Sequence, residues 1–277
     1  MSKRIGRYAL SELSLNRLLV AIKARVAELP HTFTWYISPT ARENKEQIKK
    51  IHGIHHGDRC FIVANGPSLT KTNLELLKNE KTFGLNRIYL TFENSTFRPT
   101  YYLAVNELVL EQFADEISQL RMPKFLNWNR RSYFNGHDEN TTFLKSKMVI
   151  NDFFQNDLSK SLVFGATVTF VALQLAYYMG FHKVILVGLD HNYAERGIPS
   201  EPEVRTLERD RSHFHPDYFP KGATWQLPDL LRSEIEYEIS RKIYEIDGRE
   251  IVDATIGGKC QVFKKVDYLS LFDDVNK

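Results

Sequence analysis

The hydrophobic pattern divides the chain in two. Leu15, Leu18, Leu19, Ile22, Val26 and Leu29 recur at helical spacing and write an apolar stripe. Arg17, Lys23 and Arg25 take the remaining faces, and Pro30 is expected to end the run. Such a helix packs on the main domain, packs on a second subunit, or lies on an anionic membrane surface that its basic residues would favour. Residues 40–52 read as a second, solvated helix. Residues 1–56 are therefore expected to form an N-terminal helical extension to a domain spanning 57–277.

From Asp58 onward short apolar runs alternate with helical stretches. Arg59–Ala64, Lys81–Asn86, Tyr101–Val105, Lys183–Gly188 and Arg249–Asp253 read as strands, with weaker ones at Lys124–Leu126 and Lys147–Ile150. Helices are expected over Thr70–Lys81, where Thr72 and Glu75 make a capping box, from Val105 to about Leu120, and over Asp229–Ile246, ending at Gly248. Thr167–Met179 is apolar nearly all round, so it reads as a buried helix. Strands alternating with helices predict an α/β fold: a mostly parallel sheet with helices on both faces. No internal repeat and no low-complexity tract interrupts it.

Composition narrows the picture. The chain has 277 residues, 43% hydrophobic and 26% charged, which excludes disordered, collagen-like and coiled-coil chains. Its 37 Lys+Arg against 34 Asp+Glu leave a formal charge of +3, which calls for no nucleic-acid partner. Cys60 and Cys260 stand outside any CxxC pair and read as buried thiols of a reducing, cytoplasmic compartment. No signal peptide and no membrane-crossing run is visible.

Ligands of open parallel sheets bind beyond the carboxyl ends of the strands, so the residues after each strand are the candidates for chemistry. After the first strand comes Asn65-Gly66-Pro67-Ser68-Leu69, which reads as a phosphate cradle at a helix start or as a plain strand-to-helix turn. Neither a Walker loop nor GxGxxG is present. Asn86 and Asn106 end the next two strands; they suit recognition of a base or sugar, or cap the following helices. Gly165-Ala166-Thr167 opens the buried helix as a second candidate cradle or an ordinary helix start. Asp190, after the strongest strand, suits a ribose hydroxyl, an acceptor hydroxyl or a metal, and no DxD pair accompanies it.

The stretch Ser212-His213-Phe214-His215-Pro216-Asp217-Tyr218-Phe219 lies in a long polar connection of the kind that forms lids and site loops. Its histidines are candidate proton acceptors. Two histidines without a third ligand of diagnostic spacing do not make a zinc site, so no metal ligand is assigned. Gly257-Gly258-Lys259 reads as a flexible turn or a flap over the same crevice. Lys221, Arg232 and Lys259 are candidates to neutralise phosphate.

Together IVANGPSL, FGLN, YYLAVN, GATVTFVALQLAYYMGFHKVILVGLDHNY and HFHPDYF resemble the 6-hydroxymethylpterin diphosphokinase-like family over roughly residues 57–270. That family also contains the core domain of motility-accessory-factor flagellin glycosyltransferases. It is related more distantly to bacterial lipooligosaccharide sialyltransferases. The resemblance implies a Rossmann-like domain for a nucleotide or nucleotide-sugar donor, CMP-linked in the sialyltransferases. Carried over, Asn65, Gly66, Ser68, Asn86, Asn106 and Gly165 with Thr167 would hold the donor, and Pro67 and Asp190 stand beside them as further nucleotide-binding candidates. His213 or His215 would deprotonate the acceptor, and Tyr193 or Tyr218 would stabilise the departing phosphate. The helix start here reads Gly-Ala-Thr rather than Ser-Gly, and Tyr193 is displaced by one position from the sialyltransferase pattern. Two activities follow as expectations: a glycosyltransferase acting on a cell-surface glycan or glycolipid, at the inner face of the membrane, or an ATP- and Mg-dependent diphosphokinase. A non-catalytic nucleotide-binding scaffold is the third reading, and a homo-oligomer is compatible with each.

Overall fold

The computed structural model describes residues 4–5, 8–9, 15–134, 138–147, 149, 151–193 and 198–276. A two-residue antiparallel pair, Arg4–Ile5 with Tyr8–Ala9, precedes helices α1 (Leu15–Ile37) and α2 (Pro39–Lys50). The short apolar runs then become β1 (Arg59–Val63), β2 (Lys81–Leu85), β3 (Tyr101–Ala104), β4 (Lys124–Asn127), β5 (Thr141–Leu144) and β6 (Lys183–Val187). A detached antiparallel hairpin, β7 (Pro202–Val204) with β8 (Thr224–Gln226), precedes β9 (Glu250–Asp253) and β10 (Lys264–Lys265). Between them lie α3 (Glu107–Gln112), α4 (Ala114–Ser118), α5 (Val168–Tyr178) and α6 (Leu230–Ile246).

Among the described residues eight strands pair in parallel in the order β10-β9-β6-β1-β2-β3-β4-β5. The chain builds outward from β1 to β5, then crosses back to lay β6 on the other side of β1. The fold is Rossmann-like, and its switch point lies between β1 and β6, where open sheets leave a crevice.

Both faces of the sheet are buried, as parallel sheets require. Phe61, Val63, Ile185 and Val187 point to one face, against Leu69, Leu110 and Tyr218. Cys60, Ile62, Val184 and Leu186 point to the other, against Val171, Leu175 and Tyr237 of α5 and α6. Trp35, Ala41 and Ile48 of α1 and α2 join this second core, so the N-terminal helices pack into the same hydrophobic interior. Cys60 and Cys260 are both free and buried. No described helix is long and apolar enough to cross a membrane.

Several elements differ from the sequence expectation. Pro30 does not end α1, which continues to Ile37. A proline inside a helix forfeits one backbone bond, and tertiary packing holds the turns beyond it. Trp35 is 2% exposed and meets Trp128 edge-on at 5.0 Å, while Trp128 Nε1 donates to the His31 carbonyl at 3.0 Å. The helix expected over Thr70–Lys81 is two 3₁₀ segments, Pro67–Lys71 and Leu74–Leu77. The capping box is absent because its members have other partners. Thr72 bonds back to the Ser68 carbonyl, and Glu75 accepts from Ser95 and Thr96. Such local side-chain bonds compete with helix propagation. The helix after β3 breaks at Phe113, whose ring lies 3.8 Å from the Arg87 guanidinium. The strand expected at Lys147–Ile150 is displaced: the edge strand is β5, and Lys147 N turns away to the Leu162 carbonyl. Met148 and Ile150 lie outside the described residues.

Candidate functional site

A cavity of about 780 Å³ opens beyond the carboxyl ends of β1, β2, β3, β4 and β6. Asn65, Gly66, Asn86, Asn106, Gly165, Thr167 and Asp190 line it, as do Tyr193, His213 and Tyr218. Pro67, Ser68 and His215 are not part of the lining.

The two loops at the switch point are bonded to each other. Gly66 N donates to the Gly188 carbonyl at 2.9 Å. The Ser68 amide and hydroxyl both donate to the Asp190 carboxylate, at 3.0 and 2.6 Å. A Cβ on Gly66 would sit 1.9 Å from Asp190 Oδ2, so this glycine is required by close approach. The anion position that the sequence offers to a phosphate at Ser68 is therefore filled by a carboxylate of the protein. Burial raises the Asp190 pKa, against the lowering effect of the Ser68 bonds.

The second candidate cradle is filled in the same way. Ala166 N donates to both oxygens of Glu236, each at 2.9 Å. Gly165, at φ 66°, leaves room where a Cβ would lie 2.5 Å from that carboxyl group. Thr167 caps α5, its Oγ1 accepting from Phe170 N at 3.3 Å. Burial pushes Glu236 up to about 8, with Ala166 N–H and Arg232 opposing.

The asparagines divide their roles. Asn106 caps α3, its Oδ1 accepting from Val109 N at 3.1 Å. Asn127, which the sequence reading missed, does the same for Asn129 N at 2.9 Å. The Asn65 and Asn86 Oδ1 atoms are buried without a hydrogen-bond partner, an arrangement that favours a donor from a ligand. Asn86 and His191, both in the lining, have left-handed backbone at φ 45° and 53°. Strained backbone of this kind clusters at functional sites.

The structure separates the two loop histidines. His213 lies at the cavity with Nδ1 2.9 Å from Asp210 Oδ2. Asp210 is buried and also accepts the Ser212 and His213 amides at 2.8 and 3.1 Å. Burial works to raise this carboxyl, but the His213 bond and charge, the Ser212 amide and Arg205 hold it below its ordinary value. A buried carboxylate on Nδ1 fixes the ring and leaves Nε2 as the basic nitrogen. The imidazole stacks on Tyr218 at 4.0 Å and 3°, with Tyr193 edge-on at 6.0 Å. Tyr218 is 1% exposed, and burial raises its phenol pKa. His215 instead accepts the Asp217 amide at Nδ1, 3.2 Å away.

Two anchors hold this loop over the sheet. Phe214 N donates to the Asn65 carbonyl at 3.0 Å. The buried Arg87 guanidinium donates to the Asp217 and Tyr218 carbonyls and to Glu116. Neither Arg87 nor Asp210 was singled out from the sequence, although Asp210 stands three residues before His213. The N-terminal helix was not expected to reach the site, yet Glu28 and His31 of α1 form one wall. Glu28 accepts from the buried Lys145 and from Asn129.

The expected phosphate cations are elsewhere. Lys221 pairs with Glu208, and Arg232 bonds Asp152 and Glu236. The Gly257-Gly258-Lys259 turn is tied to the switch point through Lys259 N and the Asp190 carbonyl, 2.8 Å apart. Among the described lining residues Arg130 is the sole Arg or Lys, and it pairs with Glu107 and Glu111. Glu28, Glu107, Glu111 and Asp190 make the lining acidic. Among the described residues no group of three or more His, Cys, Asp or Glu is placed to hold a metal.

No curated protein matches the chain. Among solved structures it is similar to a MAf glycosyltransferase from Magnetospirillum magneticum AMB-1, at 13% identity and a TM-score of 0.48. The match covers 82% of this chain, which spans only 38% of that protein's length. The family model described as 6-hydroxymethylpterin diphosphokinase MptE-like matches residues 37–196, more than half of the sequence. Asn65, Asn86, Asn106, Gly165 and Asp190 all fall within that span, and the chain belongs to the 6-hydroxymethylpterin diphosphokinase MptE-like family.

Proposed function

We propose that this chain is a transferase that carries a group from a nucleotide-linked donor to a hydroxyl acceptor. The favoured reaction is glycosyl transfer to a glycan or glycolipid in surface-polysaccharide synthesis, in the cytoplasm or at the inner face of the membrane. The observation that carries the reading is His213, paired with the buried Asp210, in the lining of a switch-point cavity. His213 Nε2 takes the acceptor proton. The acceptor oxygen bonds to the anomeric carbon, and the bond from that carbon to the donor phosphate breaks, its electron pair leaving with the phosphate. General base catalysis of this kind supplies ~10²–10⁴-fold. The buried Asn65 and Asn86 carbonyls support a donor ligand with N–H or O–H groups, such as a cytidine base or its ribose. Tyr193, beside the imidazole, is the candidate to meet the leaving phosphate.

The family match favours a second reading, an ATP- and Mg-dependent diphosphokinase. A lining with four carboxylates and one paired arginine does not neutralise a triphosphate by itself. The described residues form no metal-binding cluster, so Mg²⁺ would have to arrive on the nucleotide, where it would neutralise the phosphates.

Thermal shift with cytidine, uridine, guanosine and adenosine nucleotides, with and without Mg²⁺, separates the readings. Stabilisation by a cytidine or uridine nucleotide without metal is expected; stabilisation by Mg-ATP alone favours the diphosphokinase. In a transfer assay His213→Ala should lose on the order of 10²-fold or more while His215→Ala keeps near full rate. Equal rates for both would remove His213 as the base.

A further inference from the structure

We propose that the outer face of α1 is the seam through which two copies of this chain associate as a parallel helix pair. Ile22, Val26, Leu29, Phe33 and Tyr36 follow one another at intervals of four, three, four and three residues. Leu19 and Leu15 continue the same alternation toward the N-terminus. A period of 3.5 residues sustained over three heptads is the pattern of a coiled-coil seam, in which each apolar side chain enters a hole on a facing helix. A helix packed only on its own domain keeps a period near 3.6 and a single buried stripe.

The structure leaves the stripe from Ile22 to Tyr36 uncovered. Ile22, Val26, Leu29, Phe33 and Tyr36 are 47%, 58%, 62%, 63% and 71% exposed, and the neighbouring Ile37 is 61% exposed. The opposite face is committed to the chain's own body through Trp35, Glu28 and His31. Six large apolar side chains in one stripe exceed the roughly 300–600 Å² patch that a monomer ordinarily leaves open. Two such faces together come within reach of the ~1,200 Å² at which specific interfaces begin.

Charge selects the direction of the pair. Lys23 and Arg25 flank the seam. An antiparallel pair in full overlap sets Arg25 against Arg25. A parallel pair sets Arg25 beside Pro30 of the other copy and Lys23 beside its Leu18, so no like charges meet. The resulting interface is isologous, and the two cavities, each walled by Glu28 and His31, lie one on either side of it.

Sedimentation of the full chain at micromolar concentration tests the seam. The wild type should sediment at twice the chain's mass. Val26→Glu with Leu29→Glu should sediment at the chain's mass with an unchanged far-ultraviolet spectrum. Mild oxidation of Leu29→Cys should give a covalently linked pair, because a parallel seam sets residue 29 against its equivalent; this arm holds even if the double variant folds poorly. A wild type that stays monomeric, or a dimer that survives the double substitution, overturns the proposal. So does a monomer drawn onto phosphatidylglycerol vesicles through the same two residues, which would make the face a membrane surface.

Discussion

Gly66 shows how little room the switch point leaves at the scale of one residue. Its φ is an ordinary −69°, so no unusual backbone demands glycine there. What demands it is the Asp190 carboxylate, which would lie 1.9 Å from an added Cβ, with the Gly188 carbonyl at 2.7 Å. Gly66→Ala should therefore cost about 3 kcal/mol by overpacking, read from urea denaturation. Gly257→Ala is the control. It has open space but a φ of 71°, so its cost should be about 1–2 kcal/mol, from backbone conformation alone. Equal losses would mean that Asp190 swings aside. The same crowding explains why the phosphate-cradle reading of Ser68 misleads. An asparagine, glycine and hydroxyl before a helical turn announce an anion site, but they do not announce which anion. Here the anion is a carboxylate 122 residues later in the chain, a partner that local sequence does not reveal.

At the scale of elements, legibility followed length and periodicity. The strands β1, β2, β3 and β6 and the all-round apolar α5 could be read because each buries consecutive or alternating positions. The hairpin β7–β8 and strand β10 have two or three residues each, too few to carry a period. Pro30 misleads for a different reason: breaker rules describe a lone helix, whereas α1 beyond Pro30 is fastened to the domain by Trp35 and Trp128. That fastening reaches the site, since His31 and Glu28 lie one and two turns before Trp35 on the same helix. Trp35→Ala should cost about 3–5 kcal/mol and should weaken nucleotide binding more than denaturation alone explains. Calorimetric titration at a temperature where the variant is fully folded checks this. Unchanged affinity would show that the α1 wall stands without the tryptophan.

Across the whole molecule, helix starts and carboxylates are matched in ways that make stability depend on pH. Glu236, ordinarily near 4.5, is raised to about 8 by burial. The fold thus binds this proton more tightly than the unfolded chain does. The stability it contributes is complete below about pH 4.5, declines as the pH rises, and is lost by about pH 8. Melting temperature should fall across that window by an amount on the order of a few kcal/mol in stability. Glu236→Gln should flatten the profile while keeping the Ala166 bond; a variant with the wild-type slope would assign the titration to another group. The architecture was legible from sequence because a parallel sheet repeats one rule along the chain. The site was only half legible because Asp190, Glu236, Arg87 and Glu28 act on partners brought near by the fold.

The backbone at Asn86 and His191 bears on how the molecule weighs endurance against use. Glycine would accept φ 45° and 53° without crowding a Cβ, easing each position by about 1 kcal/mol. A chain shaped for thermal persistence alone would carry glycine at both. This one holds an amide and an imidazole there, facing the same hollow, and so gives up ruggedness where its side chains meet what enters.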